Sequence, residues 1–109
     1  MTNSEFRSLI HSLANIEESP HFERIAFKVV KKRIFATLHE ESSTVNMKLS
    51  EGDQSVFATL GKGAVYPVPN KWGLQAWTTF ELKQLPKALI KDALEVAYRD
   101  VFEKRQKGP

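Results

Sequence analysis

The chain has 109 residues, of which 41% are hydrophobic and 27% charged, with a net charge of +3 and no cysteine. A chain of this length buries roughly 65% of the surface that its unfolded form exposes, enough for one core without staples. Missing cysteine excludes disulfides and thiolate metal sites, and no apolar run approaches the ~20 residues of a membrane span. The expectation is a single domain over residues 1–109 in a reducing, cytoplasmic compartment. The start Met1-Thr2-Asn3-Ser4-Glu5 also lacks the basic and apolar regions of a secretory leader.

The first predicted element is a helix. Phe6, Leu9, Ile10 and Leu13 recur at i, i+3, i+4, i+7 and make one apolar stripe. Thr2 with Glu5 three residues on fits a capping box. Glu17-Glu18-Ser19-Pro20 reads as a polar loop.

From His21 the period changes to two. Ile25, Phe27 and Val29 alternate with Arg24, Ala26 and Lys28, and Lys31-Lys32 makes a hairpin tip. Ile34, Ala36 and Leu38 alternate with Arg33, Phe35, Thr37 and His39. After the polar Glu40–Ser43 turn, Val45, Met47 and Leu49 alternate with Thr44, Asn46 and Lys48. Three strands on short turns predict an antiparallel meander.

Ser50 and Asp53 supply a second N-cap signal for a short helix with Val56, Phe57 and Leu60, stopped by Gly61 or Gly63. Ala64–Val68 predicts an edge strand, because Pro67 and Pro69 donate no ladder hydrogen bond. Leu74–Leu82 is β-rich. Pro86 then opens the longest helix, whose stripe is Leu89, Ile90, Ala93, Leu94, Ala97, Val101 and Phe102. Its other side carries Lys91, Glu95, Arg99, Glu103 and Lys107 in steps of four, the pattern of a solvated, ion-paired face. The fold class is therefore α+β, two-layered, in the order α-β-β-β-α-β-β-α. A five-stranded antiparallel sheet would carry the helices on one face.

Several motifs in this order resemble the YjbR/MmcQ family of small bacterial proteins. They are Ser19-Pro20-His21-Phe22, Lys32-Arg33-Ile34-Phe35-Ala36-Thr37, Asn46-Met47-Lys48-Leu49, Tyr66-Pro67-Val68-Pro69-Asn70-Lys71-Trp72-Gly73, Ala76-Trp77-Thr78-Thr79 and Ala97-Tyr98. The resemblance implies a two-layer fold similar to type III secretion chaperones, a DNA-binding label and no catalytic residues to carry over. Two positions depart from the family pattern. Lys31 stands where a glycine is usual in the hairpin turn, and Ala76 where a glycine precedes the tryptophan. Both changes concern backbone room.

Alternation then places Arg24, Lys28, Arg33, Phe35, Thr37, Asn46 and Lys48, with Gln75, Trp77, Thr79 and Glu81, on the sheet face away from the helices. Basic residues interleaved with Phe35 and Trp77 would stack bases and meet phosphates. The same aromatics would equally serve a protein partner or a homodimer. Lys28, Lys31, Lys32 and Arg33 form a basic wing that could follow a phosphate backbone, or simply deter strand-to-strand aggregation. Lys83, Lys87 and Lys91 crowd the start of the last helix against its dipole. Tyr66, Pro67, Pro69, Trp72 and Trp77 concentrate rigid and aromatic side chains that could grip a peptide or a base, or close one end of the core, the role expected of Trp72.

His11, His21 and His39 are dispersed, so neither a metal nor a cofactor is expected. Gly61-Lys62-Gly63 lacks the rest of a phosphate loop, and no nucleophile elbow is present. The expectation is a non-enzymatic binding module for nucleic acid, through the basic and aromatic sheet face and hairpin. The alternative is a protein-binding or chaperone-like adaptor that uses the same face.

Overall fold

A computed structural model describes residues 1–103. Helix α1 (Asn3–His11) begins at the anticipated capping box. Thr2 Oγ1 accepts from the Glu5 N–H at 3.0 Å, and Glu5 Oε1 accepts from the Thr2 N–H at 2.9 Å. Four strands follow without interruption: β1 (Ile16–His21), β2 (Arg24–Val29), β3 (Ile34–His39) and β4 (Thr44–Lys48). Helix α2 (Glu51–Leu60) leads to β5 (Val65–Pro67), the single turn α3 (Lys71–Leu74), β6 (Trp77–Glu81), a 3₁₀ turn at Leu82–Gln84 and α4 (Lys87–Phe102).

All strand pairs are antiparallel, in the spatial order β1-β2-β3-β4-β6-β5. The sheet thus has six strands rather than five. The segment expected as a polar loop is the extra edge strand, running from Ile16 opposite Val29 to His21 opposite Arg24. Five of its six residues are exposed, so no apolar alternation marks it. Pro20 is tolerated there because an edge strand has one unpaired side. The short helix α3 is likewise additional to the expected order.

One face of the sheet packs against helices. Phe27, Ala36, Leu38, Val45, Met47 and Phe80 meet Phe6 and Ile10 of α1, Phe57 of α2 and the stripe Ile90, Ala93, Leu94, Ala97 and Val101 of α4. Lys87, at the start of α4, forms an ion pair with Glu5 at 2.6 Å, which offsets its unfavourable place on the helix dipole. Lys107, assigned above to the solvated side of this helix, lies outside the described residues. Among the described residues, no helix is long and apolar enough to cross a membrane, and no group of acidic or imidazole side chains is placed to hold a metal.

The two departures from the family pattern fall on left-handed backbone: φ is 65° at Lys31 and 68° at Ala76. Glycine adopts that conformation without the Cβ clash that an L-residue meets. The turn geometry is therefore kept, at the expense of local strain.

Candidate functional site

The other face of the sheet carries the candidate site. Its base is a row of side chains from facing positions on neighbouring strands: Ala26, Thr37, Asn46, Thr79 and Tyr66. Hydrogen bonds join this row laterally. Thr79 Oγ1 donates to Asn46 Oδ1 at 2.7 Å. Arg24 lies across Thr37, with Nε–H donating to Thr37 Oγ1 at 2.7 Å and Nη2 directed to the Thr37 carbonyl at 3.4 Å. Burial pushes the Arg24 guanidinium below its ordinary pKa, but an arginine stays charged at physiological pH. At the far end the Tyr66 hydroxyl donates to Glu81. That bond, reinforced by burial, raises the Tyr66 pKa to about 12.

Above this base is a groove of about 460 Å³, lined by His21, Arg24, Ile34, Thr37, Asn46, Val68, Asn70, Trp72 and Trp77. Its second wall comes from the loop after β5. Val68 N–H donates to the Trp77 carbonyl at 3.0 Å, which folds the loop back over the sheet. Asn70 Oδ1 accepts from the Trp72 N–H at 2.8 Å and starts α3. Gly73 allows the close approach: a Cβ there would lie 2.0 Å from the Val68 carbonyl oxygen. Gln54 Nε2 of α2 lies within 3.2 Å of the Gly73 and Trp77 carbonyls and 3.1 Å from Thr78 Oγ1, pinning the junction of α3 and β6.

The opposite rim is the β1–β2 hairpin. Phe22 is 96% exposed and left-handed, with φ 57°, and its ring meets His21 edge to face at 5.0 Å. A bulky aromatic that is both strained and unburied does little for stability.

Several anticipated site residues lie on this face. Trp77 and Arg24 line the groove, and Lys48 faces Trp77 across β4 and β6. Lys28 is at the margin, 3.8 Å from Glu17 of β1. Other residues lie elsewhere. Phe35 was expected beside Trp77 but is fully buried on the helix side, edge to face with Tyr98 of α4 at 6.0 Å. The cause is a bulge: Phe27 faces Ala36 while Lys28 faces Ile34, so Phe35 is the extra residue of β3. Beyond the bulge the alternation inverts, and Ile34 reaches the open face.

The basic wing also points away from the groove. Arg33 forms an ion pair with Asp100 of α4 at 3.5 Å, which corrects its placement on the open face. Lys32 lies 5.9 Å from the Phe102 ring centre, and Lys31 occupies the left-handed turn position. Trp72 does not close the core; it is 49% exposed on the groove wall. His21, Phe22, Ile34, Val68 and Asn70 went unassigned as site residues in sequence, and Trp72 was assigned first to the core. The strained Ser19-Pro20-His21-Phe22 hairpin and the rigid Pro67–Trp72 stretch were the available signals.

A second depression, of about 550 Å³, lies between α1 and α4 around Ser8, Leu9 and Lys87. It is lined by the Glu5–Lys87 ion pair together with Lys91 and Met1, with no amide or aromatic side chain among its lining residues. The outer-face groove, by contrast, joins a partly buried cation, an amide and two tryptophans.

Comparison with known proteins agrees with this architecture. The sequence matches the YjbR family over residues 11–100. Among solved structures, the chain is similar to the Deinococcus radiodurans protein DR2400, whose domain is described as DUF419. The TM-score is 0.81 at 22% identity, over 97% of this chain and 83% of that one. At that identity the likeness concerns the fold. No curated protein matches the chain. With the match spanning most of the sequence, the chain belongs to the YjbR family.

Proposed function

We propose that this domain is a non-enzymatic binding module that holds single-stranded nucleic acid in the outer-face groove. The observation that carries the reading is the groove itself. Arg24 is seated in its base between the Phe22/His21 rim and the Trp72/Trp77 wall. Aromatic faces stack on bases of any sequence, while a guanidinium meets phosphate or a base edge. Lys48 and the exposed Lys71 add positive charge beside the two tryptophans. The hairpin lysines contribute less, since Lys32 and Arg33 are engaged by α4. A cytoplasmic location belongs to the same proposal, and the cysteine-free composition suits a reducing compartment.

The test is a titration of labelled single-stranded oligonucleotides at low and moderate salt. Binding should weaken as salt rises, because phosphate contacts release counterions. Trp77→Ala should cost about 1–3 kcal/mol of affinity, the worth of one stacked base. Lys31→Ala/Lys32→Ala should change little. Absence of binding at low salt would overturn the reading.

A second reading, a protein-binding adaptor, is favoured by Leu74, which is 82% exposed next to the groove wall, and by Val56 and Leu60 on α2. Such contacts would persist in salt, and light scattering across concentrations would reveal self-association.

A further inference from the structure

The donors in the base of the groove narrow the ligand further. Asn46 Oδ1 is occupied by the Thr79 hydroxyl, so its Nδ2 amide is the end left for a ligand. Arg24 uses Nε and Nη2 on Thr37, and its Nη1 is left. Among the described residues neither Asn46 Nδ2 nor Arg24 Nη1 has a protein partner, and both side chains line the groove. Thr37 lies between them, opposite Asn46 in the β3–β4 register. The base of the groove therefore presents hydrogen-bond donors side by side, and two tryptophans line the same groove. The remaining lining includes the aliphatic side chains of Ile34 and Val68.

Resting on the single-stranded reading above, we infer that the groove selects keto bases of single-stranded DNA, with thymine as the preferred base. Free donors match a ring carbonyl such as thymine O4. They repel the exocyclic amino groups that cytosine and adenine carry instead. The C5 methyl of thymine finds an apolar surface in Ile34 or Val68. Uracil offers the same carbonyl without that methyl. Base choice is thus made by hydrogen bonds beside a stacking wall that accepts any base.

The experiment is a competition by fluorescence anisotropy, with labelled oligo-dT displaced by unlabelled oligo-dT, oligo-dU, oligo-dC and oligo-dA. It is run on the natural protein and on Asn46→Asp, an isosteric change that replaces the amide donor with an acceptor. A mismatched donor pattern costs about tenfold in affinity, so oligo-dC and oligo-dA should compete about tenfold less well than oligo-dT, with oligo-dU between. Asn46→Asp should abolish or invert that ranking, whereas Trp77→Ala should weaken all four and keep the ranking. The second variant separates selection by hydrogen bonds from the general readiness of poorly stacked oligo-dT to bind aromatic surfaces. Equal competition by all four overturns the base selection and leaves the single-stranded reading standing. A ranking unchanged in Asn46→Asp also overturns it. Failure of every oligonucleotide to bind overturns both.

Discussion

The two faces of the sheet are built from the same strands but obey different rules. On the helix side, Phe27, Leu38, Val45, Met47 and Phe80 are each held by several elements, and their identity follows from volume and burial. On the outer side, Ala26, Thr37 and Thr79 are also largely buried, but as small side chains in a cross-strand row outside the apolar core cluster. The inner face is filled, so a change there costs stability. Above its small-residue row the outer face leaves a groove whose polar groups are partly unpaired, so changes there should cost binding. The bulge at Phe35 marks where one residue was transferred from the second regime to the first.

The comparison can be broken most severely at Phe35. Phe35→Ala should cost about 3–5 kcal/mol, the range for emptying a buried aromatic site, read from chemical denaturation. A loss below 1 kcal/mol would mean the ring does not pack against Tyr98 as described. Next in size is Gly73→Ala, where the added methyl meets the Val68 carbonyl. Overpacking of this kind costs about 1–3 kcal/mol. It should also displace α3, so the Trp72 fluorescence should change with it.

A smaller effect of opposite sign is expected at Lys31. Replacement by glycine removes a left-handed Cβ clash of about 1–2 kcal/mol and adds part of that in unfolded-chain entropy, so Lys31→Gly should be stabilising by about 0.5–1 kcal/mol. Binding should be unchanged, since the residue is not among those that line the groove.

The subtlest effect is one of pH. The Tyr66 pKa of about 12 lies above the ordinary value of 10, so the hydrogen bond to Glu81 stabilises the neutral phenol. Its contribution is full below pH 10 and fades as pH rises towards 12. Ultraviolet titration should show one phenol ionising late, and Glu81→Gln should bring that ionisation down.

Much of the inner face was legible in sequence because burial imposes a period. The stripe of α4 from Ile90 to Val101, the capping box at Thr2 and the alternation of β2 and β4 appear where the pattern put them, whereas Phe102, placed on the same stripe, is 49% exposed. Strand β1 was not legible, because an exposed edge needs no apolar residues and Glu17-Glu18-Ser19-Pro20 carries none. Phe35 was misplaced because one bulge shifts the period by one residue, and nothing in Arg33-Ile34-Phe35-Ala36 announces it. The groove was half legible. Arg24, Thr37, Asn46 and Trp77 followed from alternation, whereas Val68, Asn70 and Trp72 reach it through a loop that folds back over the sheet. Contacts of that kind depend on tertiary packing and leave no periodic trace.

The central claim is that the outer-face groove is where a ligand binds. The most direct test is to titrate the isotope-labelled protein with oligo-dT and follow its amide, indole and Asn side-chain resonances by NMR. The account predicts shifts concentrated on His21, Phe22, Asn46, Trp72 and Trp77, including both indole N–H signals and the Asn46 side-chain amide. Shifts centred instead on α2 around Val56 and Leu60, or no shifts at low salt, would contradict it.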